Sequence, residues 1–117
     1  MATISLESDK LFKDLEDGIK FGDLSQVGES LNNILGSDYL HRLNARYIAV
    51  VSDNHTTMYS PLEFASSLGN IEIIRELMSY GSKVTSFSIY LAKSEEVKSL
   101  LSLTQMIDRR TKSLLRF

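Results

Sequence analysis

The sequence predicts an all-α protein, and three observations lead to this class. Apolar residues recur at three- and four-residue spacing over most of the chain, which is the period of an amphipathic helix. Only six glycines and one proline occur, and the proline and four of the glycines stand where those helical patterns begin or end, at Pro61, Gly22, Gly36, Gly69 and Gly81. The composition, 43% hydrophobic and 24% charged, is typical of a globular domain with its own core. At this length of 117 residues we expect a single domain over 1–117.

The first third of the chain predicts two antiparallel helices. One helix is expected from 8 to 21 and ends at Gly22, and Asp23 is placed to cap the next, with Gln26 completing a pair similar to a capping box. Gly36 is placed for a left-handed C-cap. The two apolar stripes can bury each other in such a pair; they consist of Leu11, Phe12, Leu15 and Ile19, and of Leu24, Val27, Leu31, Ile34 and Leu35.

Residues 37–59 carry weaker signals and read as an insertion or an extra helix. A short helix is expected around 38–46, and the apolar run 47–51 favours extended structure. The polar, turn-rich run 52–59 predicts a loop.

The clearest pattern is a second helical hairpin over 60–81. Pro61 falls in the first turn of a helix, where its missing amide donor costs nothing. Gly69 and Asn70 predict the corner, and Gly81 the end of the second helix. Beyond it we expect a third, shortened hairpin with Ser94 as a helix N-cap, and then a terminal helix that caps the domain.

The segment 60–84 resembles an ankyrin repeat, whose signature is Thr-Pro-Leu-His-x-Ala at a period near 33 residues. Pro61, Leu62 and Ala65 match that signature, with Ser60 in place of the threonine and Glu63 in place of the histidine. Val51 lies where the repeat begins its β-turn finger, whereas Met58 replaces the usual glycine of that finger. The first hairpin repeats the corner and second helix but has Gly18 in place of the alanine. The resemblance implies a short ankyrin-like stack with atypical caps; the alternative is a plain helical bundle.

What this resemblance implies about function is protein recognition through the concave side of the stack. That side would be formed by the finger and the exposed face of the first helix. We expect Met58 and Tyr59 to be the anchors, because large apolar side chains supply most of the energy of an interface. The alternative is that both side chains tuck under the stack. The predicted contact residues are Asp53, Asn54, His55, Thr56, Met58 and Tyr59 in the finger, and Glu63, Ser66 and Ser67 on the helix.

The residue inventory argues against catalysis. The chain has two histidines and no cysteine, so nucleophile-base pairs and Cys/His metal sites have few candidates. His41, with Asp38 three residues before it, reads as a solvated helix face, and His55 as a loop contact. We therefore predict no enzyme activity, no cofactor and no metal.

Charge and hydrophobicity also indicate which partners and which cellular compartment to expect. A net charge of -2 disfavours nucleic acid, and the absence of a long apolar run or a signal peptide disfavours a membrane. We predict a cytoplasmic adaptor or inhibitor that binds another protein, in the host cytosol if it is a secreted bacterial or viral effector. The alternative is a structural protein that associates with itself as a homodimer, through oppositely charged ends or an exposed edge of the stack.

Overall fold

The structure is a computed structural model that describes the backbone of residues 2–114 and the side chains of 8–110. The described chain is rich in helix but contains a two-stranded antiparallel sheet. In chain order its elements are α1 (Ala2–Lys20), α2 (Leu24–Leu35), a 3-10 helix (Leu40–Asn44), β1 (Ile48–Ser52), β2 (His55–Tyr59), α3 (Pro61–Leu68), α4 (Ile71–Ser79), α5 (Ser86–Leu91) and α6 (Glu95–Leu114).

The all-α prediction is therefore wrong, and the fold is mixed α and β. The error lies in 52–59, where the predicted loop is instead the last residue of the first strand, the turn and the second strand of a β-hairpin. Asp53 and Asn54 form its two-residue turn with φ of 47° and 66°. This is the left-handed backbone that a tight, twisted hairpin needs at both positions. Asparagine and aspartate tolerate it because their short polar side chains bond locally.

The helices pack as successive hairpins laid side by side. α1 packs on α2, α3 on α4, and α5 on α6, while α3 also contacts α1 on one side and α5 on the other. One continuous core runs through these layers. Its buried members include Phe12, Leu15, Ile19, Val27, Leu31, Ile34, Leu62, Ala65, Ile74, Leu77, Val97 and Leu101.

Side-chain caps begin most of these helices, as the sequence predicts. The Asp23 carboxylate accepts a hydrogen bond from the Gln26 amide at 3.1 Å, and the Ser94 hydroxyl accepts from the Val97 amide at 3.2 Å. Two details differ from expectation. The Gln26 side chain donates to the Asp14 carbonyl instead of completing a capping box. Gly36 ends α2 with φ of -79°, not with a left-handed backbone.

Close packing explains the glycine in α1. A Cβ at Gly18 would lie 3.0 Å from Val27 Cγ2 and 3.1 Å from the Val27 amide nitrogen. Backbone atoms cannot move aside as a flexible side chain can. Gly18 therefore lets α2 approach α1 closely.

The segment between α2 and β1 is tied to the end of α4 and the chain beyond it. Instead of the expected helix over 38–46, only 40–44 is helical, with 3-10 geometry. The Asn44 side chain accepts from the Lys83 amide at 2.8 Å and donates to the Gly81 carbonyl at 3.3 Å. These bonds fix the position from which the β-hairpin departs.

Candidate functional site

The β-hairpin of residues 48–59, called the finger below, holds six of the predicted contact residues. Asp53 and Asn54 form its exposed tip. His55, Thr56, Met58 and Tyr59 lie in β2, where the first three are exposed and Tyr59 is half-buried. The structure thus groups these six side chains on one projecting element.

The register of the finger separates Met58 from Tyr59. Ala49 pairs with Met58 and Val51 with Thr56, so these four side chains share one face. Tyr59 is on the other face, opposite Ile48, because successive side chains of a strand alternate. We call the set Ala49, Val51, Thr56 and Met58 the finger face.

The finger face is apolar and open to solvent. All four residues are exposed, with Val51 at 72% and Met58 at 41% of their full accessible area. Directly paired side chains lie about 5 Å apart, so the four form a continuous patch. The opposite face is anchored by Ile48, which is fully buried.

Two of the three predicted contact residues on α3 do not reach the surface. Glu63 is 1% exposed and Ser66 is fully buried, which corrects their assignment as contact residues. The Ser66 hydroxyl donates to the Leu62 carbonyl, and its own carbonyl accepts from the Lys93 amide at 3.1 Å, joining α3 to the corner between α5 and α6. Ser67 is half-buried, and its hydroxyl donates to the Phe64 carbonyl.

Glu63 instead joins three segments of the chain. Its carboxylate accepts from Arg46 through two guanidinium nitrogens, Nε at 2.9 Å and Nη2 at 2.8 Å. It also accepts from the Ser60 amide at 2.9 Å, which completes a capping box at the start of α3, and from the Thr85 hydroxyl at 2.9 Å. Thr85 in turn caps α5 by accepting from the Ser88 amide.

These partners hold the Glu63 carboxylate in its charged form. Burial alone would raise its pKa; hydrogen bonds from Arg46, Ser60 and Thr85, with the positive charge of Arg46, outweigh burial and lower the pKa below its usual value. All the neighbouring groups donate, and only a carboxylate can accept from all of them. Glu63 is therefore a structural anchor for the root of the finger.

An aromatic row continues from this anchor toward the surface. The Arg46 guanidinium lies 5.4 Å from the centre of the Phe87 ring. Tyr59 meets Phe87 edge-on with 5.6 Å between ring centres, and Tyr90 stacks on Phe87 with 6.3 Å between ring centres. Tyr59 thus supports the finger against α5, while Tyr90 is highly exposed.

The finger face offers a contact surface, and burial of its apolar side chains is the interaction that it can supply. Within the described side chains, no group of three His, Asp or Glu residues is arranged to hold a metal ion. Nor does any described helix combine the length and apolar character needed to cross a membrane. His41 and His55 are both exposed and lie on separate elements.

Some residues of the candidate site were missed although the sequence carried a signal for them. Ser60-x-x-Glu63 fits the capping-box pattern, which turns the glutamate back toward the backbone and so away from a partner. Ala49 and Val51 belong to the run for which extended structure was expected, and alternation places them on one face. For the pairing of Arg46 with Phe87 we find no local signal, because 41 positions separate the two residues in the chain.

Comparison with known proteins adds no relative: no protein-family model, no curated protein and no solved structure matches this chain.

Proposed function

We propose that this chain is a non-catalytic protein-interaction module that binds a partner protein through the finger face. Binding would either recruit the partner, as an adaptor does, or cover the partner's active surface, as an inhibitor does. The observation that carries the proposal is the exposure of Val51 and Met58 on an element that the rest of the fold holds in place.

The anchoring of the finger supports this role. Its root is joined to α3 by Arg46 and Glu63 and to α5 by Tyr59 and Phe87. An element fixed in this way loses little conformational freedom on binding, so more of the contact energy appears as affinity. In many other proteins the binding residues likewise lie on loops that a rigid scaffold holds in position.

The chemistry of the finger face defines the kind of partner. Valine and methionine supply apolar contact, and methionine adapts its shape to irregular pockets. At the tip, Asp53 and Asn54 offer polar groups for the rim of an interface. We expect the complementary surface to be an apolar cleft with hydrogen-bond donors at one end.

A capture experiment tests the proposal. The wild-type chain and a Val51→Asp/Met58→Asp variant are immobilised and exposed to a lysate of the native source, and retained proteins are identified by mass spectrometry. We expect the variant to lose the specific partner, since a buried carboxylate in an apolar interface costs several kcal/mol. Tyr59 is not altered, because its contact with Phe87 is structural.

A matched control is Phe21→Asp. Phe21 is an exposed apolar residue at the corner between α1 and α2, remote in the chain from the finger. This variant should retain the partner that the wild type captures. Equal recovery by all three proteins, with circular dichroism showing each one folded, would remove the finger face as the binding surface.

We also infer a relationship to the ankyrin-repeat family and a cytoplasmic location, in the host cell if the protein is an effector. The first inference is supported by the residues of 60–84 and by the hairpin that precedes α3, where the repeat has its finger. A chain without cysteine suits a reducing compartment, which supports the second.

A further inference from the structure

The second half of α6 presents an apolar stripe to solvent. Val97 and Leu101 are fully buried and attach the helix to the domain, whereas Leu103, Met106 and Ile107 are 52%, 48% and 56% exposed. Spacings of three and four residues place these three side chains on one face, opposite the buried one. Most residues from 102 to 110 are exposed, so this half of the helix has little support from the body.

Charged residues flank this stripe in a symmetric pattern. Glu96 precedes Leu103 by seven residues and Arg110 follows it by seven, and both are exposed. Seven residues are close to two helical turns, so Glu96, Leu103 and Arg110 share one line along α6. The stripe therefore begins with a negative charge and ends with a positive one, about 10 Å on either side of Leu103.

We propose that α6 pairs with α6 of a second copy of this chain in an antiparallel homodimer with Leu103 at the two-fold axis. In this register Glu96 of each copy lies opposite Arg110 of the other, so two-fold symmetry gives two identical ion pairs. Leu103, Met106 and Ile107 of both copies bury one another between those pairs. The stripe is complementary to itself only in the antiparallel direction, because a parallel pair would place like charges together.

The charge pattern selects a second copy over other occupants. An isologous interface requires a surface that complements its own image, and the equal spacing on both sides of Leu103 meets that condition. Ser99, which lies on the same face, is small enough to let the two helices approach. The inference is independent of the finger, which lies on another element.

Sedimentation equilibrium from about 1 μM to about 1 mM tests the dimer. We expect the wild-type mass to rise with concentration from 13.2 kDa toward twice that value. Leu103→Glu should remain monomeric, weakening association at least about 100-fold, because it places two like charges at the centre of the interface. Leu103 is exposed in the monomer, so the fold should survive, and circular dichroism checks this.

A charge reversal tests the register. Glu96→Arg alone and Arg110→Glu alone should each weaken the dimer about tenfold, since each converts two attractive pairs into repulsive ones. The double variant should recover wild-type association. A wild type that stays monomeric at the highest concentration would overturn the proposal, and so would a dimer that withstands Leu103→Glu or a double variant no stronger than the single ones.

Discussion

Glu63 shows how one residue can set the geometry of a surface to which it does not belong. It is almost fully buried, yet its carboxylate joins Arg46 before the finger, Ser60 at the start of α3 and Thr85 at the start of α5. Burying a charge is unfavourable unless each lone pair finds a donor, and here the donors are supplied by three separate segments. The ionised carboxylate of Glu63 thus holds the segment from which the finger departs against α3 and α5.

Glu63→Gln is expected to lower the free energy of unfolding at pH 7 by about 2 kcal/mol. The amide has the shape of the carboxylate, but its NH₂ group must face donors from Arg46, Ser60 or Thr85. Half-exposure of Arg46 limits the effect, since water screens part of its charge. Urea unfolding measures the change, and Glu72→Gln on the exposed side of α4 serves as the control. A Glu63 variant as stable as that control would contradict the role given to this carboxylate.

The same variant should alter the response to acid. Because the folded protein lowers the pKa of Glu63, its ionised form contributes stability above the usual glutamate pKa of about 4.3. That contribution is lost as the pH falls through the lower, folded-state pKa. We expect the difference in melting temperature between wild type and Glu63→Gln to be constant near neutral pH and to narrow below about pH 4. A difference that grows on acidification would show that the pKa is raised instead.

At the scale of elements, two glycines in the first hairpin have opposite roles. Gly18→Ala should destabilise the protein by about 1 to 3 kcal/mol, because its methyl group would press on the backbone of Val27. Gly28→Ala in α2 should stabilise it by roughly 0.5 to 1 kcal/mol, since nothing lies within 4 Å of the added atom and alanine favours the helix. Thermal unfolding of the two variants compares them directly. Equal shifts of the same sign would refute the close contact between α1 and α2.

The finger turn allows a second comparison of this kind. Asn54→Gly should leave the protein as stable or make it more stable by up to about 1 kcal/mol, because glycine adopts the φ of 66° without strain. Asn54→Val should lose about 1 to 2 kcal/mol, as a β-branched side chain resists that backbone. Chemical denaturation measures both. If valine were tolerated as well as glycine, the turn would not have the left-handed geometry described here.

Helices were more predictable from the sequence than the sheet. Pro61, Gly69 and Asn70 mark the two ends of α3 and the start of α4 through local chemistry, and the structure confirms them. The second strand was missed because 55–59 is polar for most of its length and exposed, so it lacks the apolar alternation that identifies a half-buried strand. The turn lacks glycine as well. Contacts such as Arg46 with Phe87 depend on how distant segments pack, which no local pattern encodes.

At the scale of the whole molecule, one core passes through all three helical hairpins, from Phe12 in α1 to Leu101 in α6. Each hairpin alone has too little apolar surface to fold, so neighbouring layers stabilise one another. This continuity predicts that the described domain unfolds in a single step. Because only one face of α6 belongs to this core, substitutions on the buried face and on the exposed face should differ in their effect on stability.

Leu101→Ala should therefore lower the stability of the entire domain by about 2 to 5 kcal/mol, the usual range for a truncated buried leucine. Leu103→Ala, two residues later on the exposed face, should change the stability of the monomer by less than about 0.5 kcal/mol. Far-UV circular dichroism and tyrosine fluorescence follow unfolding of each variant. The two signals should change together, and a separate early transition of the last hairpin would contradict a shared core.

The tight tip of the finger has a consequence for how such a protein could diversify. Because the strands end in a two-residue turn away from the core, extra residues inserted there would lengthen the strands and leave the helices unchanged. Each inserted pair of residues, one in each strand, would extend the finger by about 3.4 Å. The reach of the finger can thus evolve separately from the scaffold that supports it.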